Sequence, residues 1–64
     1  MSIKLNSKQS IRIIKTRKLR KLSQEKICFS LDVEQSNYSK MERGLLGFKQ
    51  WQIENLEKQL DIKL

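Results

Sequence analysis

LSQEKICFSLDVEQSNYSKMERG, residues Leu22 to Gly44, reads as two short helices at a sharp angle across a tight turn. Ser23 can cap the first, because its hydroxyl can accept from an orphan backbone N–H of the first turn. Ile27, Cys28 and Leu31 then recur at i, i+1 and i+4, which makes one apolar stripe. Asp32 interrupts the stripe, and a short polar residue tolerates the left-handed backbone that such a turn uses. Val33 is apolar again, and Tyr38, Met41 and Leu45 follow at helical spacing. The opposite arc of this second helix carries Gln35, Ser36, Ser39, Lys40 and Arg43. Amides, hydroxyls and cations on one exposed arc suit base edges and phosphates.

With these residues in place, the segment resembles the helix-turn-helix of the phage-repressor and Cro-like (Cro/C1-type, xenobiotic-response-element) DNA-binding family. The resemblance rests on Leu22-Ser23-Gln24, on Ile27-Cys28 where the family usually has Leu-Ala, and on Val33 after the turn. It continues through Tyr38-Ser39-Lys40-Met41-Glu42-Arg43-Gly44 and the apolar Ile53, Leu56, Leu60 and Ile62 of a fourth helix. It implies a compact all-α domain of four helices, or five, with residues 1–6 as an N-terminal arm and 7–64 as the domain. By the same resemblance, Ser23 and Gln24 meet the DNA backbone and Gln35, Ser36 and Asn37 meet base edges. Ser39 and Lys40 lie one turn on, and Arg43 grips phosphate. Arg17 and Glu42 align with a buried ion pair, while Trp51, Ile62 and Leu64 fall where relatives form a dimer. Asp32 stands in place of the family's turn glycine, and Glu34 in place of its Ser or Thr.

Composition bounds the alternatives. A chain of 64 residues is one domain at most. It buries only about 60% of its unfolded surface and has no room for an enclosed active site beside a core. One cysteine and no histidine exclude an internal disulfide and argue against a zinc site. No histidine, paired carboxylates or glycine-rich phosphate loop points to an enzyme, and no cofactor is expected. No apolar run approaches a membrane span and no leader pattern is visible, so a cytoplasmic protein without membrane contact is the expectation.

The net charge of +7 is unevenly spread. Residues 1–22 hold Lys4, Lys8, Arg12, Lys15, Arg17, Lys18, Arg20 and Lys21 with no acid, and the remainder is close to neutral. Such asymmetry favours a polyanionic partner.

Outward from the central stretch, Met1 to Leu5 alternates polar and apolar, as a short extended or disordered arm does. Asn6 with Gln9 three residues on has capping-box spacing and should open a first helix running to Lys18 or Leu19. The second helix is expected over about Ser23–Leu31 and the third over about Glu34–Arg43. Gly44 permits a left-handed cap, 45–48 forms an apolar loop, and a fourth helix covers about Lys49–Leu60. Phe29 lies off its helix's apolar stripe and is expected to pack under the arm. Trp51 also lies off its stripe and is read as a dimer contact.

The leading expectation is a regulator, in the sense of a repressor, that binds a pseudo-palindromic operator in double-stranded DNA as a homodimer. A second reading keeps the fold but makes it a protein-interaction module. An antitoxin gripping its toxin through Phe29, Trp51 and the apolar loop is an example. A third, a cationic peptide acting on membranes, is opposed by the acid-balanced half after Leu22.

Overall fold

A computed structural model describes residues 2–64; Met1, the first residue of the expected arm, lies outside the described residues. Four helices follow one another: α1 (Ser7–Leu19), α2 (Gln24–Ser30), α3 (Gln35–Glu42) and α4 (Gln50–Leu60). The fold is all-α, and among the described residues the only β pairing is one isolated antiparallel bridge, Ile3 to Phe48.

Three of the four helices start where a side chain accepts from a backbone N–H of the cap or first turn. Asn6 accepts from Gln9 N at 2.9 Å while Gln9 Oε1 accepts from Asn6 N at 2.9 Å, a complete capping box. Ser23 Oγ accepts from Lys26 N at the head of α2. Glu34 occupies the N-cap of α3 but makes no side-chain cap bond. Gln52 reaches back to Lys49 N over 2.8 Å and fixes the entry to α4.

All four helices end in the same way. Within two residues of each end one residue takes the left-handed conformation: Lys21, Asp32, Gly44 and Asp61, with φ of 56, 57, 81 and 53°. Each end also carries the paired backbone bonds of a Schellman motif. In α3 these run from Gly44 N to Met41 O and from Leu45 N to Lys40 O, at 3.1 and 2.8 Å. Asp32 therefore makes the turn between α2 and α3 with the backbone geometry that glycine adopts more readily.

The core gathers Ile13 from α1, Ile27, Cys28 and Leu31 from α2, Tyr38 and Met41 from α3, and Ile53, Leu56 and Leu60 from α4. Cys28 is a buried free thiol whose sulfur donates to Glu25 O. The small thiol fits the crossing of α2 and α3, which pack closely. Tyr38 and Phe48 meet edge to face with centroids 6.4 Å apart.

Three expectations need correction. Phe29 is 87% exposed and does not pack under the arm. The arm docks elsewhere: Ile3 exchanges two 2.8 Å backbone bonds with Phe48, and Leu5 is buried in the core. Leu45 continues the helical spacing of Tyr38 and Met41 but is exposed, because the Gly44 turn carries it off the helix axis. The 45–48 loop is likewise not uniformly a surface, since Phe48 is fully buried.

Both glycines serve the docked arm. A Cβ on Gly44 would lie 2.6 Å from Leu5 O, and one on Gly47 would lie 2.3 Å from Ser2 Cβ. Neither position has space for a side chain while residues 2–5 lie where they do.

Candidate nucleic-acid interface

The orientation of α3 is set by a buried polar cluster. Arg17 Nε donates to Glu42 Oε2 at 2.9 Å and its Nη2 to Oε1 at 3.1 Å, so the pair is bidentate. The remaining guanidinium nitrogen donates to Leu22 O at 3.0 Å, tying in the segment that leads into α2. Gln24 Nε2 adds a third bond to Glu42 Oε1, at 3.1 Å. One carboxylate at the end of α3 thus collects donors from α1 and from the first turn of α2. Glu42 is 2% exposed, which makes the satisfaction of its oxygens a condition of the fold.

Tyr38 packs beside this cluster. Its ring is fully buried, and its hydroxyl has no protein partner among the described residues. Burial, followed by the nearby Glu42 carboxylate, pushes its ionisation far above the ordinary tyrosine range.

With Tyr38, Met41 and Glu42 turned inward, the opposite arc of α3 faces solvent. Gln35, Ser36, Asn37, Lys40 and Arg43 are all exposed, and Ser39 is half-buried at the edge of the arc. Gln35, Ser36 and Asn37 make no side-chain hydrogen bond within the protein among the described residues, so their amides and hydroxyl are available to a ligand. Arg43 Nε donates back to Ser39 O at 3.2 Å, leaving its terminal nitrogens outward. Ser23 is exposed at the head of α2, with its oxygen already accepting from the helix. Gln24 beside it is half-buried, its amide nitrogen committed to Glu42.

The remaining site residues divide. Trp51, 46% exposed, lines an open cleft with Arg12, Glu54, Lys58 and Ile62. Leu64 is folded back instead, its N–H bonded to Glu57 Oε2 at 2.8 Å, and it packs with Ile62 on the edge of the core. The cationic N-terminal segment is also divided. Arg17 is interior, whereas Lys8, Arg12, Lys15 and Lys18 lie on the outward face of α1.

Reading the sequence missed Gln52. It is 4% exposed, and its Nε2 donates to Leu31 O at 3.0 Å, capping the C-terminal end of α2 from α4. Asn55 adds a bond to Ser30 O, and Gln59 one to Ser30 Oγ. The amides of Gln52 and Asn55 satisfy carbonyls that the end of α2 leaves without helical partners. The signal was present as the three-residue spacing between Lys49 and Gln52, the same spacing that opens α1.

No family model, curated protein or solved structure matches this chain.

Proposed function

We propose that this chain is a sequence-specific, double-stranded-DNA-binding transcriptional regulator, a repressor that engages a pseudo-palindromic operator as a homodimer. The observation that carries the reading is the outward arc of α3. A short helix, locked through Glu42 to its neighbours, offers two amides and a hydroxyl in its first turn and cations in its last. An α-helix enters the major groove with its N-terminal residues toward base edges. In that pose Gln35, Ser36 and Asn37 read bases, Lys40 reaches guanine or phosphate, and Arg43 anchors on phosphate. Ser23 and Gln24 meet the backbone at the head of α2, where free N–H groups favour an anion. Dimer contacts fall to Trp51, Ile62 and Leu64.

The test is a duplex-binding titration across salt concentrations. Each phosphate neutralised lowers log K by about 0.9 per unit of log[salt]. A steep linear fall is expected. Salt-insensitive binding, or no binding to any duplex in a random pool, removes the reading.

The protein-module alternative has one observation in its favour. Phe29 projects fully from α2, and Trp51, Leu45 and Leu46 are also exposed. They sit on separate elements, so they supply scattered apolar contacts rather than one built groove.

A further inference from the structure

The cations that dominate the net charge do not sit with the outward arc of α3. The inward residues of α1 are Ser10, Ile13 and Arg17, and Arg17 closes on Glu42 of α3. That contact turns part of the inner face of α1 toward α3. At 3.6 residues per turn, Lys8, Ile11, Arg12, Lys15, Lys18 and Leu19 fall within an arc of about 120° opposite that inner face. All six are exposed, and the arc holds no acid. Among the described residues no ion pair involves Lys8, Lys15 or Lys18, while Arg12 donates to Lys63 O. Ile11 is 65% and Leu19 76% exposed, in a chain whose other aliphatic helix residues mostly turn inward.

We propose that this outer face of α1 is a docking surface for an acidic, amphipathic helix of a partner protein. The proposal goes beyond the DNA reading and stands without it. Charge complementarity selects an anionic partner, because like charges facing the cations would be repelled and only Arg12, at the edge of the arc, shares a cleft with carboxylates, those of Glu54, Glu57 and Asp61. The two aliphatic residues then narrow the choice. The duplex contacts proposed above lie on α2 and α3 rather than on this face, and a phosphate backbone offers no apolar contact to Ile11 or Leu19. A bilayer rewards apolar side chains that enter together, whereas these two lie about 12 Å apart along the helix with Lys15 between them. A second helix laid along α1 can offer apolar residues at the same two-turn interval, with carboxylates opposite the intervening lysines. Such an apolar face flanked by charge is the ordinary grammar of helix-on-helix recognition.

The test uses the full isotope-labelled chain and a synthetic helical peptide with leucines at two-turn spacing and glutamates between them. A peptide of the same charge with serines for leucines is the control, alongside a random duplex and phosphatidylglycerol-containing vesicles. Amide shifts are expected along the outer face of α1 between Lys8 and Leu19, with the serine peptide weaker by about tenfold. The Lys8→Glu/Lys15→Glu/Lys18→Glu chain should lose peptide affinity by about tenfold or more while duplex binding through α3 persists. Lys→Gln versions of the same three positions repeat the measurement should the reversals lower helicity. Shifts on another surface, or equal binding of the serine peptide, overturn the proposal. So does a lysine variant that loses the duplex or the vesicles but keeps the peptide. A failure of DNA binding by the parent chain would leave the peptide result standing, so the two readings fail separately.

Discussion

Gln24 donates its side-chain amide to Glu42 across 3.1 Å, joining the first turn of α2 to the last turn of α3. Glu42 is at the same time held by Arg17 from α1. On the DNA reading, a residue that meets a backbone phosphate is thus tied to the ion pair that orients α3. Stability and the orientation of α3 share one carboxylate.

Breaking this cluster from one side should be expensive. Arg17→Met leaves a buried carboxylate with Gln24 as its remaining side-chain partner, at a loss of about 3–5 kcal/mol. In a double-mutant cycle with Glu42→Gln, the coupling energy should be about 1 kcal/mol or more. Denaturant unfolding of the four proteins checks it. Additive losses would mean that the two side chains do not depend on each other.

Glu34 caps α3 without a side-chain bond. Replacing it with Ser supplies that bond, a gain of about 1 kcal/mol, and removes a favourable charge–dipole term of about 0.5 kcal/mol. The net expectation for Glu34→Ser is a small rise in stability. Under the DNA reading, duplex binding should also tighten at low salt, with the advantage shrinking as salt screens the lost repulsion. A variant that binds more weakly at low salt would place the head of α3 away from phosphates.

Gln35 and Arg43 mark opposite ends of the same outward arc. Gln35→Ala should cost about 1–3 kcal/mol on the preferred site and relax preference at one base pair. Arg43→Ala should weaken all duplexes alike and lower the salt slope by about one. Selection from a random-sequence pool separates the two. If Arg43→Ala alters the selected sequence and Gln35→Ala does not, the docking of α3 is wrong.

Tyr38 places a buried hydroxyl where it has no protein partner. Tyr38→Phe should therefore cost little stability at neutral pH, since it keeps the ring and removes no hydrogen bond of ordinary geometry. The phenol's folded-state pKa is raised, so its contribution is intact below the unfolded value near 10 and is lost as pH climbs above it. Above that pH the wild type should lose up to about 1.4 kcal/mol more per pH unit than Tyr38→Phe. Parallel alkaline unfolding curves would show that Tyr38 ionises as freely in the fold as outside it.

Much of the framework was legible locally. Asn6–Gln9 and Ser23 announce helix starts through short-range hydrogen bonds, and Asp32 and Gly44 announce turns through the backbone they tolerate. The pairing of Arg17 with Glu42 has no local signal, because no spacing rule links positions 25 residues apart; only resemblance pointed to it. The arm was illegible for the same reason. Alternation in residues 1–5 describes a strand but not its partner, which is Phe48 beyond three helices. Counting charge along the chain was also insufficient, since the eight cations divide between the arm, the interior, the outer face of α1 and the turn after it. Phe29 was misplaced because an apolar side chain off its stripe can be buried only if another element arrives to cover it, and none does.

The Ile3–Phe48 bridge has a kinetic consequence. It closes a loop that holds three of the four helices, and loop-closure entropy must be overcome before its two hydrogen bonds and the burial of Leu5 offset it. Helix ends that stop themselves within a few residues can form earlier and independently. The arm is then the last piece to seat and the first to leave. Its departure would unpin the segment after α3 while leaving the Arg17–Glu42 clasp shut. Ile3 and Phe48, each protected only by the other, should exchange their amide protons at a common rate, faster than those of Ile13 or Tyr38.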